Sequence, residues 1–459
     1  MQKRRTLSII FFTIAITSII AQNKPVLYGF AELPQTLLLN PGAETNYRFH
    51  VGVPLISGFS STIASSKVKM EDLFLKDNVD FNIKFSKILN KLDKNDNLSF
   101  NTQIEVLSGG YRLNNKTYIS AGFYEEIDFM GYFPKDIVTL LYKGNAAYLN
   151  KSFSLSQLIF NIDVLGVLHA GITRVFNKKL TLGGRLKIYS SSMNINSTNN
   201  FGTITTVLGD NNIYKHYLHN LNVSIKSSGI ISKNKKIDKK NLISDTFFGG
   251  SLGIGLDVGF TYHLTNQVEV TGSILDVGFI NHKKNNFSHT VKGSYIFDGI
   301  PLKYDPLHPS DYWSKLDKEF KSKVDSKSNT DSYFTWRPTK INTSLKYSFG
   351  KARLNKECYG KSYREYYNSA VGVQLYTIFR PLRPQIAFTG FYERVITEKL
   401  FAKITYTIDK YSLTNVGAGF SFQVGKINFY GMIGNLFKLQ NLNTANNVSL
   451  QFGFNLIFN

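Results

Sequence analysis

Hydrophobic and polar residues alternate along much of the chain. The last stretch, Asn447 to Asn459, reads NVSLQFGFNLIFN: Val448, Leu450, Phe452, Phe454, Leu456 and Phe458 take alternate places, polar residues and Gly453 fill most of the others, and Ile457 is the one apolar intruder. From Gly250 to Leu264, Leu252, Ile254, Leu256, Val258, Phe260 and Tyr262 alternate with Ser251, Gly253, Gly255, Asp257, Gly259, Thr261 and His263. Leu180, Leu182, Leu186 and Ile188 oppose Thr181, Arg185, Lys187 and Tyr189; Val416, Ala418, Phe420, Phe422 and Val424 oppose Gly417, Gly419, Ser421 and Gln423; Ile341, Leu345 and Tyr347 oppose Asn342, Ser344, Lys346 and Ser348. Period two predicts strands with one apolar and one polar face. In a soluble sandwich the apolar faces would meet in a core. In a membrane barrel they face lipid, the polar faces line a lumen, and about 9–11 tilted residues cross the bilayer. The final strand pairs with the first to close such a barrel and remove both edges.

Connection lengths favour the barrel. Short links join Phe176 to Leu180, Leu264 to Val268, Ile396 to Leu400 and Val424 to Ile427, with longer ones between, as in outer-membrane barrels. The expected fold is all-β: a transmembrane antiparallel outer-membrane β-barrel of about 14 strands (12–16), reaching 16 if Phe201–Leu208 and Ile213–Ser228 both cross. Parity makes Lys351–Asn368 a long link at the short-turn end and Asn281–Pro338 one external excursion (281–338). Ser310 is placed to cap a helix there carrying Trp313, Leu316, Phe320 and Val324. A second small helix runs from Pro134 to Tyr142, with Ile137, Leu140 and Leu141 on one side and Gly144 past its end. Gly255 falls on the lumen face, where a larger side chain is tolerated if there is room.

Composition adds compartment and partners. Lys3, Arg4 and Arg5 precede an apolar run from Leu7 to Ile20 ending at Ala21, the pattern of a signal peptide cut near Ala21-Gln22. The expected destination is the bacterial outer membrane. The 54 Lys and Arg exceed the 32 Asp and Glu, a formal charge of +22. No nucleic-acid reading motif accompanies it, so no nucleic-acid partner is expected. Solvated loops account for most of it, and outer-membrane lipid and lipopolysaccharide are the natural anionic neighbours; the one cluster is Lys233, Lys235, Lys236, Lys239 and Lys240. Cys358 is alone, which excludes a disulfide framework.

A resemblance runs from about Leu33 to the C-terminus. It is carried by the Asn40-Pro41-Gly42 turn, Gly183-Gly184-Arg185-Leu186-Lys187, Asp257-Val258-Gly259-Phe260-Thr261-Tyr262, Leu275-Asp276-Val277-Gly278-Phe279-Ile280 and Phe297-Asp298-Gly299-Ile300. In this order they are similar to a Bacteroidota outer-membrane barrel family of unknown function. That family is related to fatty-acid-transporter-like barrels and to barrels associated with type IX secretion and gliding. Gly42 stands where those proteins usually place Ala. The resemblance implies a plug-like segment folded inward over residues 22–45, after a signal peptide at 1–21 and before a barrel at 46–459. It brings no catalytic residue.

Chemistry is sparse. Gly249-Gly250-Ser251-Leu252-Gly253 matches G-x-S-x-G, but alternation runs straight through Ser251, so no nucleophile elbow is expected. His216 and His219, three apart, fall on opposite strand faces and make no metal pair. Glu125, Glu126 and Asp128 read as a solvated rim. No enzyme activity, cofactor or metal is expected. The candidate ligand-binding set is the lumenal Asp163, His169, Arg185, Lys187, Asp257 and Lys346, with Gln423 and Gln451 on the same faces. Two functions compete: binding or passing a small hydrophobic molecule, or docking a secretion, gliding or surface protein through external loops.

Overall fold

The computed structural model describes residues 24–30, 33–210, 213–229, 244–298, 314, 318–320, 322–351 and 367–458. Fourteen antiparallel strands close into a barrel. They are β1 (Phe49–Gly52 and Gly58–Ser65), β2 (Asn97–Asn114), β3 (Thr117–Tyr132), β4 (Phe160–Val175), β5 (Leu180–Ser197), β6 (Ser251–His263) and β7 (Val268–His282). The second half comprises β8 (Tyr333–Trp336 and Lys340–Lys351), β9 (Tyr367–Ile378), β10 (Gln385–Thr397), β11 (Leu400–Ile408), β12 (Asn415–Val424), β13 (Ile427–Gly434) and β14 (Asn447–Phe458). The alternating final stretch closes the ring: Phe49 pairs with Phe458 and Ala64 with Asn447, and the Phe49 and Phe458 rings stack at 4.0 Å. No described helix is long and apolar enough to cross a membrane; the strands do so.

The alternation divides the wall as a membrane requires. On β6, Leu252, Ile254, Leu256 and Val258 stand exposed, while Ser251, Asp257, Thr261 and His263 are buried in the lumen. A soluble sandwich would bury the apolar set. Ile457 breaks the pattern because it points inward, where it packs with Leu37, Ala43, Tyr47 and Tyr118. Gly255 does not face open space: a Cβ there would come within 2.3 Å of the Tyr189 hydroxyl, so the lumen has no room for a larger residue at that position.

Short links join β2–β3, β4–β5, β6–β7, β10–β11 and β12–β13 at one end; in the last, Gly425 takes φ +57° to make the turn. The β8–β9 link at the same end lies outside the described residues. At the other end the connections are long and carry their own structure. Phe201–Leu208 and Tyr214–Ser228 do not join the wall. They pair with each other, with Ser152–Ser154 on one side and with Phe287–Phe297 and then Val324–Asn329 on the other, as a sheet beyond the barrel. The tail of β5 anchors this sheet through Asn194–Ser228 pairing.

The excursion is shorter than the sequence suggests, since β7 takes in Asn281 and His282 and Tyr333–Trp336 pairs back onto it, leaving residues 283–332. Its helix stops early. Residues 318–320 and 322–323 are helical, but Val324 opens a strand and is buried beside Gly293, because the outer sheet offers it a ladder; Ser310, Trp313 and Leu316 lie outside the described residues.

Helices α1 (Met70–Phe74), α2 (Phe81–Lys91) and α3 (Lys135–Lys143) cover the same end. In α3 it is Val138, not Leu141, that packs inward, against Ile88, Leu89 and Leu92; Leu141 is among the most exposed side chains. Asp409, in the β11–β12 loop, is buried and accepts hydrogen bonds from the Tyr411 and Ser412 amides at 2.9 and 2.8 Å. Burial pushes its carboxyl up to about 7. The folded state therefore holds this proton more tightly than the unfolded chain, and stability falls as pH rises from the ordinary carboxylate range through about 7. Thermal melts at pH 5 and pH 8 should show wild type less stable at pH 8, with Asp409→Asn shrinking that difference.

Candidate functional site

Residues 24–30 and 33–45 lie against inward-facing residues of several strands. Asn40-Pro41-Gly42 forms a tight turn in which the Gly42 amide donates to Asn40 Oδ1 at 2.9 Å. The turn lies flat on the wall at Gly183 of β5 and Gly259 of β6. A Cβ on Gly183 would sit 1.9 Å from the Pro41 carbonyl oxygen, and one on Gly42 would sit 2.5 Å from the Gly259 oxygen. Gly42 is thus a packing requirement here. Thr173 and Thr261 hydroxyls donate to the Pro41 and Gly42 carbonyls at 2.6 and 2.8 Å, and Ser273 donates to Leu39 at 2.6 Å. The stretches that carried the family resemblance on β5 and β6 are therefore the cradle of this turn.

The rest of the segment reaches around the ring. Gln35 and Asn455 of β14 exchange amide hydrogen bonds at 2.9 and 3.1 Å. Gln35 also donates to the Ser57 carbonyl, which the break in β1 turns inward. The Tyr28 hydroxyl shares a hydrogen bond with Thr271 at 3.0 Å, and Lys403 donates to the Tyr28 carbonyl at 2.6 Å. Glu44 accepts from Thr181 and shares a hydrogen bond with His263 Nε2 at 3.1 Å. Between these polar anchors lies one apolar layer: Val26, Leu27, Phe30 and Leu33 pack on Tyr430 and Met432 of β13, with Phe401 and Leu39 at the side. Gly417 and Gly419 leave the β12 wall hollow beneath Val26, since a Cβ on either would lie within 3.0 Å of its methyl groups.

Charged side chains fill the remaining lumen as pairs. Asp257 takes Arg185 at 3.3 Å and Lys187 at 2.9 Å; Lys187 also meets Asp276 at 2.6 Å, and Asp276 meets Lys340 at 2.7 Å. Arg185 also donates to the Leu37 carbonyl, joining this network to the N-terminal segment. Lys346 pairs with Glu269 at 2.6 Å. Asp163 accepts from Asn194 and Asn161 at 2.7 and 2.6 Å and faces Arg337 at 3.6 Å. His169 is buried with both ring nitrogens lacking a hydrogen-bond partner, its ring 5.7 Å from that of Tyr124. So Arg185, Lys187 and Asp257 come together, Lys346 stands in a separate pair, Asp163 joins through Arg337, and His169 joins none.

Sequence reasoning missed several members. Glu126 and Asp128 are buried rather than a solvated rim: β3 runs on to Tyr132, and they pair with Arg337 at 2.8 Å and Arg380 at 2.9 Å. Asp276 escapes simple alternation because a bulge between β6 and β7 puts it at φ +59° and turns both Leu275 and Asp276 inward. Arg337 and Arg380 precede Pro338 and Pro381 just where the ladders break off, and a proline after an arginine at a strand end was the available signal.

Other motifs assemble nothing. Ser251 Oγ accepts from the Lys283 and Lys284 amides at the start of a straight strand. His216 shares a hydrogen bond with Thr206 at 3.0 Å, whereas His219 stacks on Tyr217. Among the described residues no group of three His, Cys, Asp or Glu side chains is placed to hold a metal. Cys358, the Lys233–Lys240 cluster and Gly299-Ile300 lie outside the described residues.

The chain is similar to solved structures. A Pseudomonas aeruginosa FadL homologue is 8% identical with a TM-score of 0.46, over 96% of this chain and 99% of its own. The Ralstonia pickettii toluene transporter TbuX is 11% identical (TM-score 0.41, 93% and 94%), and the Pseudomonas putida toluene transporter TodX is 10% identical (0.37, 94% and 94%). No curated protein matches the sequence. A model for a family of unknown function, DUF5723, matches residues 41–434.

Proposed function

The chain belongs to the DUF5723 family of unknown function, and for this member we propose an outer-membrane barrel that binds or passes a small hydrophobic molecule, with residues 24–45 as its stopper. The observation that carries this reading is the apolar layer on β12 and β13. Tyr430 and Met432 with the hollow at Gly417 and Gly419 form an apolar groove in the wall, and Val26, Leu27, Phe30 and Leu33 occupy it. When the segment withdraws, the groove loses its apolar cover, and a small hydrophobic molecule is the chemistry that replaces it at lowest cost. Among the hydrogen bonds that hold the stopper, those to Thr173, Thr261, Ser273 and Asn455 are ones that water can replace. On this reading residues 1–21 direct export and are removed near Ala21-Gln22 in the course of it.

The test is binding of an environment-sensitive apolar dye to purified protein. A variant lacking residues 24–33 should bind the dye saturably and at least about tenfold more tightly than the intact chain, the equivalent of about 1.4 kcal/mol. Adding Met432→Lys to that deletion should abolish the gain, because a charge then sits in the groove. Equal dye binding by all three proteins sinks the reading.

A further inference from the structure

A cavity of about 80 Å³ lies between the N-terminal segment and the wall, lined on the segment's side by Lys24, Leu38 and Leu39. One buried water needs about 10–15 Å³ on this measure, so the space holds several waters or one small oxyanion. Its charged lining is Lys24, Lys187, Lys340 and Arg380 against Glu126, Asp128 and Asp276, four cations to three anions. Each lining carboxylate already has a cation: Arg337 for Glu126, Arg380 for Asp128, Lys187 and Lys340 for Asp276. Lys24 differs. Its ammonium donates to the neutral Gln103 Oε1 at 2.7 Å, and among the described residues no carboxylate lies within 4.0 Å of it. The next buried acid, Glu105, does not line the cavity and is held by Gln35, Ser57 and Ser108. Arg380 adds an unspent donor, since its buried Nε has no hydrogen-bond partner. Asn101 and Asn342 supply neutral amides to the same walls.

We propose that this cavity binds a small oxyanion of the phosphate or short-chain carboxylate class, held by Lys24 and Arg380. A cation with only a neutral partner in a low-dielectric lumen is costly, and an anion beside it completes the charge balance. The chain's basic excess, which loss of Lys3, Arg4 and Arg5 leaves in place, draws anions towards the barrel in the first place.

Titration calorimetry of the purified full-length protein with inorganic phosphate, and separately with acetate, tests this. At least one should bind saturably with one site per chain, and the one that binds sets the class. Lys24→Gln should weaken that binding about tenfold or more, as loss of a charged hydrogen bond does, while Lys24→Arg retains it. An unchanged melting temperature in Lys24→Gln shows that the fold is intact. No saturable binding of either anion to wild type, or equal binding by Lys24→Gln, overturns the site. Because dye binding in the groove uses different residues, the two readings fail separately.

Discussion

Asp257→Ala should destabilise the barrel by about 3–5 kcal/mol, the range seen when one partner of a buried ion pair is removed. Asp257 is fully buried on β6 and receives two cations, Arg185 at 3.3 Å and Lys187 at 2.9 Å. It also accepts from the Asp276 amide at 2.7 Å, which fixes the bulge that brings Asp276 inward. Removing the carboxylate leaves Arg185 with a main-chain carbonyl as its remaining anchor and the bulge amide without its acceptor. Asp257→Asn keeps an acceptor for that amide and should cost visibly less. Denaturant unfolding in detergent, or from lipid vesicles, reads the difference. A loss below about 1 kcal/mol, the level of an exposed pair, would mean that water reaches this network freely and that the lumen is not packed.

The adjacent residue faces the opposite environment. Val258 is exposed on the outer face, six residues before the Leu264 turn. At about 3.3 Å per residue and a tilt near 40°, that is about 15 Å from the turn end, close to the middle of an apolar band about 25 Å tall. Val258→Arg should then cost about 2–4 kcal/mol, whereas Ile427→Arg, also exposed but beside the Gly425 turn, should cost about 0–1 kcal/mol. Depth dependence of this kind belongs to a bilayer. Equal costs at the two sites in reconstituted lipid would argue against a membrane-spanning wall.

Most of the wall was legible because a strand that separates lipid from lumen must alternate, and β6 and β14 do so almost without fault. What the pattern hides follows from the same rule. Phe201–Leu208 and Tyr214–Ser228 alternate too, since a sheet beyond the membrane obeys the same geometry; only pairing shows that they leave the ring. Ile457 looked like a flaw until its contact with Leu37 and Ala43 supplied the reason. Part of the lumenal network was readable as polar positions on expected strands: Asp163, Arg185, Lys187, Asp257 and Lys346. The remainder came from irregular backbone, a bulge at Asp276 and ladder breaks at Arg337 and Arg380, and from the unexpected length of β3 at Glu126 and Asp128. Which cation meets which acid depends on neighbours distant in sequence, as with Asp128 and Arg380, and period two carries no such information.

The proposed function requires the N-terminal segment to close the lumen. The most direct test is ion conductance across a planar lipid bilayer by wild type and by Gly183→Val, in which the new side chain occupies the space of the Pro41 carbonyl, 1.9 Å from where its Cβ must sit. The account predicts that wild type is silent and that the variant, folded by circular dichroism, shows discrete openings. Wild-type conductance equal to that of the variant would contradict it.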